Sequence, residues 1–385
     1  MSVALALLFF NACTVPNVTP IPQPSTSPIQ FNSAKLAALD AAIQKAIAEK
    51  KLPGGVLWIE RNGTTYQKSY GLRSVRPESE PMTLDTIFDL ASLTKAIATG
   101  PAIALLIERN QVALDAPVRN YIPEFAGEGR DLITLRHLLT HSSGLRPGLS
   151  LATPWLGTSG AIGLACRELP TTPAGTKFVY SDINFILLGE IVHRVSKSPL
   201  DEFVAREFFA PLRMTHTSFR PSTNEIARIA PTTTNAVRGI VHDPTARRMG
   251  GVAGHAGLFA TASDTARFAR MLLGEGSIEG TRVLKAETVK LMTSNQSPEP
   301  LAAKRGLGWD IDTGYSGPRG EHFPVGSFGH TGWTGTSIWI DPASKSFVIF
   351  SSNRNHPDES GSVVALRKII GTLAAEAVGL PTKRD

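Results

Sequence analysis

The sequence predicts an α+β fold of two lobes, in which an antiparallel sheet built from both chain ends, flanked by N- and C-terminal helices, carries a mainly helical inserted lobe. Three observations predict it. Strand-like runs with turn signals lie near residues 55–70 and 337–351, at opposite ends of the chain. Helical periodicity fills much of the stretch between them. The 385 residues exceed the roughly 250–300 that one hydrophobic core serves, so two lobes are expected. Two lobes leave a cleft between them, and ligand sites prefer such clefts.

Composition narrows the function classes. The chain is 42% hydrophobic and 19% charged, which excludes a disordered or fibrous protein. No run approaches about 18 consecutive apolar residues, so a multi-span membrane protein is excluded. The net charge of +6 is spread along the chain without a block of like charge, so no nucleic-acid partner is indicated. Two cysteines, Cys13 and Cys166, supply neither a disulfide scaffold nor a structural zinc site of their own.

Residues 3–10 form an apolar run too short to span a bilayer, broken at Asn11-Ala12-Cys13. Length and position fit the apolar part of an export signal, although its usual basic start is missing. Cys13 after a small residue resembles a bacterial lipoprotein cleavage site, which makes it the candidate point of membrane anchoring by lipid. Pro16, Pro20, Pro22, Pro24 and Pro28 fall among Ser and Thr, a composition that behaves as an extended spacer. Residues 1–31 therefore read as leader plus tether, and the protein is expected to be exported to the periplasm or cell envelope.

From residue 32 the elements follow in order. Leu36, Leu39, Ile43 and Ile47 mark one face of a helix over 33–51 with Ser33 as N-cap. Asn62-Gly63 joins two strands, 55–59 and 64–70, as a hairpin. A long helix is expected over 89–110, kinked or split by Gly100-Pro101. Shorter helices follow at 132–139, 185–195 and 200–209, and another at 263–273 capped by Ser263 or Asp264. Strands 337–340 and 347–351 meet at an Asp341-Pro342 turn, and a last helix covers 362–378. This gives an α/β lobe from 32–88 and 245–385, and a mainly helical lobe from 89–244.

The chemistry begins with Ser92-Leu93-Thr94-Lys95 at the start of the long helix. Three residues apart on a helix means one face, so the hydroxyl and the amine meet. A serine hydroxyl is a weak nucleophile that needs a base beside it. Lysine serves as one only if it sheds its proton near neutral pH, which burial favours. Main-chain N–H groups in a first helical turn also point at charge developing on a carbonyl. An S-x-x-K alone occurs about once by chance in a chain of this composition, so context decides.

That context is Tyr180-Ser181-Asp182, 88 residues after Ser92, and His330-Thr331-Gly332, a further 150 on. Together with 88–95, 137–145, 211–217 and 251–259, these motifs resemble the serine β-lactamase and penicillin-binding-protein superfamily, in its class C-like branch. The branch includes DD-carboxypeptidases, D-aminopeptide hydrolases and family VIII esterases. The resemblance covers about residues 33–379. It implies a β-lactamase/transpeptidase-like fold and an acyl-enzyme mechanism with no cofactor and no metal. Ser92 would be the acylated nucleophile and Lys95 its base or proton partner, with Tyr180 as proton shuttle. The main-chain N–H groups of Ser92 and Trp333 would form the oxyanion hole. His330, Thr331 and Gly332 would line the opposite wall as an edge strand, and Asp182 would face Lys95 and substrate.

Two positions depart from the family's pattern. Asp182 stands where Asn is common, and His330 where Lys is common. A neutral imidazole lacks the fixed charge that grips a substrate carboxylate, and Asp182 repels it, so both changes are expected to weaken carboxylate binding. The expected activity is therefore an esterase or a D-Ala-D-Ala carboxypeptidase-type peptidase acting on an ester or a peptidoglycan stem peptide. A genuine β-lactamase, or a low-turnover penicillin-binding receptor, is the alternative.

Other chemistries find less support. His137 and His141, with His242, Asp243 and His255, suggest a metal site, but no H-E-x-x-H is present and these histidines read as structural. No G-x-S-x-G occurs, so an α/β-hydrolase elbow has no candidate. Cys166 reads as a buried small apolar residue.

Overall fold

The computed structural model describes residues 1, 30–233, 235 and 237–381. The candidate leader, Cys13 and the Pro-rich tether lie outside the described residues. Eight strands form one antiparallel sheet: β1 (Gly54–Arg61), β2 (Thr64–Ser74), β3 (Glu80–Pro81), β4 (Lys304–Arg305), β5 (Asp310–Asp312), β6 (Phe328–Thr331), β7 (Ser337–Asp341) and β8 (Ser346–Ser352). Their order across the sheet is β3-β2-β1-β8-β7-β6-β5-β4. The two chain ends thus meet at its centre, with Gly55 opposite Ser352 and Arg61 opposite Ser346. The β1–β2 hairpin turns at Asn62 and Gly63, both with positive φ, as an Asn-Gly turn requires.

Both faces of the sheet are covered. Leu57, Ile59, Trp339, Val348 and Phe350 pack against helices Ser33–Ala48 and Val364–Ala377. Val56, Trp58, Ile338, Ile340 and Ile349 turn to the larger core shared with the insertion. Helix Ala262–Leu273 lies on that side, and its Arg270 makes two 2.7 Å bonds to the buried Glu60 of β1. The chain enters the insertion through Ile87–Asp89 and leaves it through Phe259–Thr261, and these segments pair antiparallel. The fold is the two-lobed α+β architecture expected, and no helix of the described residues is long and apolar enough to cross a membrane.

Two expected caps are corrected. Asn32, not Ser33, caps the first helix, its Oδ1 accepting the Lys35 N–H. Thr261, not Ser263 or Asp264, caps Ala262–Leu273 through the Asp264 N–H. The expected long helix divides at Gly100, where it changes type rather than ending. A π-helical turn over Lys95–Thr99 leads directly into Gly100–Glu108. That wider turn bonds the Gly100 N–H to the Lys95 carbonyl, a change of register that admits the proline at the start of the next segment.

Candidate active site

Ser92 sits on a strained turn. Ala91 before it has φ +46, a left-handed conformation that a residue with a Cβ adopts only when its surroundings impose it. Here the Asp89 Oδ1 accepts the Ala91 N–H at 2.8 Å, and Thr94 Oγ1 donates to the Ala91 carbonyl at 2.6 Å. The other Asp89 oxygen accepts the His242 N–H at 2.7 Å. Burial pushes the Asp89 carboxyl up to about 6, against these two N–H groups, which hold it down.

The one-face prediction for Ser92 and Lys95 holds: Lys95 Nζ donates to Ser92 Oγ at 3.0 Å. The same ammonium donates to the His255 carbonyl at 2.9 Å and lies 2.7 Å from Asp182 Oδ1. Lys95 is fully buried, as expected. Its protonation runs the other way from the expectation. Burial alone pulls the pKa down, but the Asp182 carboxylate and then Tyr180 outweigh it, and the net shift is upward. Lys95 is therefore an ammonium at neutral pH. The Asp at this position, where Asn is common in the family that the motifs resemble, is what holds the charge.

Tyr180 reaches the same cluster from the loop before helix Asp182–Ser196. Its ring centroid is 5.0 Å from Lys95 Nζ. The ring stacks on His141 at 4.3 Å with an interplanar angle of 27°. His141 is fully buried, and its Nδ1 accepts the Ser181 N–H at 3.0 Å. Burial, then the charges of Arg305 and Lys95, hold it far below the usual histidine range, so it is a neutral platform under Tyr180. Sequence reading treated His141 as structural without giving it this place; its only signal was membership of the 137–145 stretch.

The third motif approaches from β6, which pairs with β7 on one side and, at Gly329, with β5 on the other, so it is an interior strand that ends at Thr331 and not the edge strand expected. Gly332 is required by close approach, because a Cβ there would overlap Thr336 Oγ1 and the Leu90 carbonyl. Thr334 Oγ1 and Thr336 Oγ1 donate to the carbonyls of Asp89 and Leu90 at 2.6 and 3.1 Å, tying this turn to the nucleophile turn. Neither the Ser92 N–H nor the Trp333 N–H meets an acceptor among the described residues. His330 is 4% exposed, with Nδ1 2.9 Å from the Thr331 carbonyl oxygen. Burial, then Arg305 and Lys95, hold it far below the usual range, so it is neutral across physiological pH.

Ser92, Tyr180, His330, Thr331, Gly332 and Trp333 line one cavity of about 330 Å³. Neither Asp182 nor Lys95 is among its lining residues. Among the lining residues that sequence reading missed are Asp310 and three arginines, Arg305, Arg354 and Arg367. The arginines come from β4, from the loop after β8 and from the C-terminal helix, and no motif marks them. Arg354 Nε donates to the Trp333 carbonyl at 2.7 Å and Arg367 Nη2 to those of Gly332 and Thr336 at 2.5 and 2.7 Å. The third motif itself supplies no cation, since His330 is held neutral.

The histidine set considered for a metal is only half assembled. Asp243 and His255 come together with Asp182, their ligand atoms within 4.8 Å of one another. The Lys95 ammonium already contacts Asp182 and the His255 carbonyl, and His255 Nε2 lies 2.9 Å from Asp243 Oδ1. His141 lies instead beneath Tyr180, and His137 caps its own helix through the Thr134 N–H at 3.1 Å. Cys166 is buried, as expected, and burial raises its thiol to about 11.

Comparison with known proteins is consistent over almost the whole chain. The model of the Beta-lactamase family matches residues 39–370. An N-acetylmuramyl-L-alanine amidase of Bacillus subtilis is 32% identical over 380 residues, 87% of this chain and 85% of the relative. A protein of Escherichia coli K12, named provisionally as a D-alanyl-D-alanine carboxypeptidase, is 31% identical over 368 residues, 85% of this chain and 84% of the relative. Among solved structures, a class C beta-lactamase superposes with a TM-score of 0.74 at 20% identity, covering 91% of this chain and 98% of that one.

Proposed function

We propose that this chain, which belongs to the Beta-lactamase family, cleaves the terminal residue from D-Ala-D-Ala-type peptides through an acyl-enzyme on Ser92. The chain is a hydrolase of that family. The reading is carried by Ser92, which lines a cavity with its Oγ 3.0 Å from a buried ammonium. The free N–H groups of Ser92 and Trp333 fit it, as two donors are what a tetrahedral oxyanion needs.

In this mechanism Ser92 Oγ attacks the scissile carbonyl carbon. Lys95 is charged, so it orients the hydroxyl and steadies negative charge but does not take the proton. The proton passes to the Tyr180 oxygen while the phenolic proton moves to the leaving amine nitrogen as the C–N bond breaks. Water then repeats the attack on the acyl-enzyme and releases the acid, with Tyr180 relaying in reverse. An ester uses the same steps, the phenolic proton moving to the alkoxy oxygen so that an alcohol leaves. The peptide is preferred because the cavity carries three arginines, and the relatives' names, an amidase and a carboxypeptidase, agree with it. Placement in the cell envelope rests on the apolar run and tether within 1–31.

The test is a turnover panel on purified protein: a short-chain p-nitrophenyl ester, a chromogenic cephalosporin and a peptide ending in D-Ala-D-Ala. The peptide is expected to be cleaved. Turnover of the ester or the cephalosporin without the peptide sinks the peptidase reading and leaves the esterase or β-lactamase alternative. Irreversible labelling by a fluorescent penicillin without turnover of any substrate points to a receptor.

A further inference from the structure

Lys95 donates one of its hydrogen bonds to a group outside the three motifs. An ammonium has three donors. Here they meet Ser92 Oγ, Asp182 and the His255 main-chain carbonyl, the last at 2.9 Å. His255 lies on the loop between helix Pro244–Arg248 and strand Phe259–Thr261. The neighbouring Gly254 carbonyl accepts Thr99 Oγ1 at 2.7 Å. Two successive carbonyls of this loop thus receive donors from Lys95 and Thr99, the two ends of the π-helical turn. A loop carbonyl turns away unless something holds it, so the group that orients His255 matters.

The side chain of the same residue supplies that hold. It is 1% exposed, and its Nε2 lies 2.9 Å from Asp243 Oδ1. Burial pushes the Asp243 carboxyl up, but His255, by charge and by hydrogen bond, and the Ala246 N–H outweigh it. The net shift is downward, so Asp243 is an anion at neutral pH. A carboxylate only accepts, so the His255 Nε2 carries the proton and donates it. Nδ1 has no hydrogen-bond partner among the described residues, which leaves Asp243 as the hydrogen-bonded tether of the ring. Asp243 is itself fixed, because Oδ1 caps helix Pro244–Arg248 by accepting the Ala246 N–H at 2.7 Å. The adjacent His242 N–H donates to Asp89, whose other oxygen holds the turn before Ser92. The contacts close a ring from Asp89 through His242, Asp243, His255 and Lys95 to Ser92. Nucleophile and ammonium are linked by this second route besides their own helical turn.

We propose that Asp243 and His255 form a positioning pair for Lys95. The carboxylate holds the imidazole, the imidazole holds the carbonyl of its own residue, and the carbonyl holds the ammonium against the Ser92 hydroxyl. This rests on the reading of Ser92 as nucleophile, and it assigns to its support two residues that do not line the cavity. Misplacing a reacting group by about 1 Å costs about 10²-fold in rate, so support at this remove has a measurable effect.

The experiment measures kcat and KM for the p-nitrophenyl ester and the D-Ala-D-Ala peptide, and the rate at which a fluorescent penicillin labels Ser92, in three variants. Serine caps a helix as aspartate does, so Asp243→Ser keeps the helix start and removes the contact to His255. In Asp243→Ser kcat is expected to fall about 10- to 100-fold with KM within about twofold of the unmodified protein. The fall should be the same for every substrate that is turned over, and for the labelling rate, because all of them use one nucleophile. His255→Leu should match it. His255→Gln, whose amide nitrogen reaches the place of Nε2 and donates to Asp243, should recover most of the loss. An unchanged kcat and labelling rate in Asp243→Ser overturns the pair, without needing His255→Leu to fold. So does a rise in KM in place of a fall in kcat, or a His255→Gln variant as slow as His255→Leu. If mass spectrometry finds the adduct on Ser92 while Asp243→Ser acylates at the unmodified rate, only the pair fails. If the unmodified protein turns over nothing and no adduct forms on Ser92, the reading of the site fails with it.

Discussion

Two buried cations serve this cavity, and their surroundings treat them in opposite ways. Lys95 is saturated: its ammonium contacts the Ser92 hydroxyl, the His255 carbonyl and the Asp182 carboxylate within 3.0 Å. Arg305 has a long contact to Asp310 and the Phe178 ring nearby, and its Nε and Nη2 meet no acceptor among the described residues. A saturated charge is fixed in place and in protonation state, which suits a group that must orient a nucleophile in every turnover. A buried charge short of acceptors is costly and less firmly held. The neighbours, not the charge itself, set the difference.

The predictions that test the saturated side carry the largest effects. Ser92→Ala is expected to lower turnover by at least about 10³-fold, and intact-protein mass spectrometry should place the acyl group on Ser92. Retention of turnover in this variant would remove the whole comparison. Tyr180→Phe and Lys95→Ala are each expected to lower kcat by about 10²-fold or more, with effects that do not add, because the two act as one unit. An unchanged kcat in Tyr180→Phe would return Tyr180 to a packing role on His141.

Asp182→Asn sharpens the contrast by converting Lys95 toward the condition of Arg305. Breaking a fully buried pair costs about 3–5 kcal/mol, but Asp182 is 31% exposed, so about 1–3 kcal/mol of stability is expected to be lost at pH 7. Urea unfolding of the two proteins measures it. Because Lys95 is raised above its ordinary value, its share of stability is complete at neutral pH and lost only as pH climbs above that value. The deficit should therefore be the same at pH 6 and pH 8; a deficit confined to one end would assign it to another group.

The smallest effect concerns His330. A titrating His330 would make binding of carboxylate substrates tighten as pH falls toward 6. The buried imidazole is held too low for that, so the ratio of kcat/KM between a peptide ending in a free carboxylate and its C-terminal carboxamide is expected to be flat from pH 6 to 8. Its trace is in stability instead. Below about 6.5 the unfolded chain takes up a proton that folded His330 refuses, so stability falls with falling pH by up to about 1.4 kcal/mol per unit from this residue. His330→Gln should remove that share, read from urea unfolding at pH 5 and 7. A carboxylate preference that rises at pH 6 would show that the imidazole does charge in the site.

Much of the fold was legible in the sequence. The Asn62-Gly63 hairpin, the helical face of Leu39 and Ile43 and the apolar terminal strands each carry their own local signal, and local periodicity survives folding. Caps were misplaced by one to three residues because Asn32 and Thr261 compete with Ser33, Ser263 and Asp264, and only backbone geometry selects between neighbouring oxygens. The division at Gly100-Pro101 was legible, but its form, a π-helical turn passing into an α-helix, leaves no mark in composition.

Within the site, the motifs and the family they resemble pointed to Ser92, Lys95, Tyr180 and the 330–332 segment as candidates. They also named the two unusual positions, Asp182 and His330. Tertiary structure alone decided what those positions do. The charge on Lys95 depends on whether burial or a carboxylate 2.7 Å away wins, and that distance spans 87 positions of sequence. His330 supplies no charge, and the arginines that line the cavity, Arg305, Arg354 and Arg367, are ones that no motif connects to Ser92. Electrostatic free energy depends on separation and solvent access in three dimensions, and neither is a property of position along the chain.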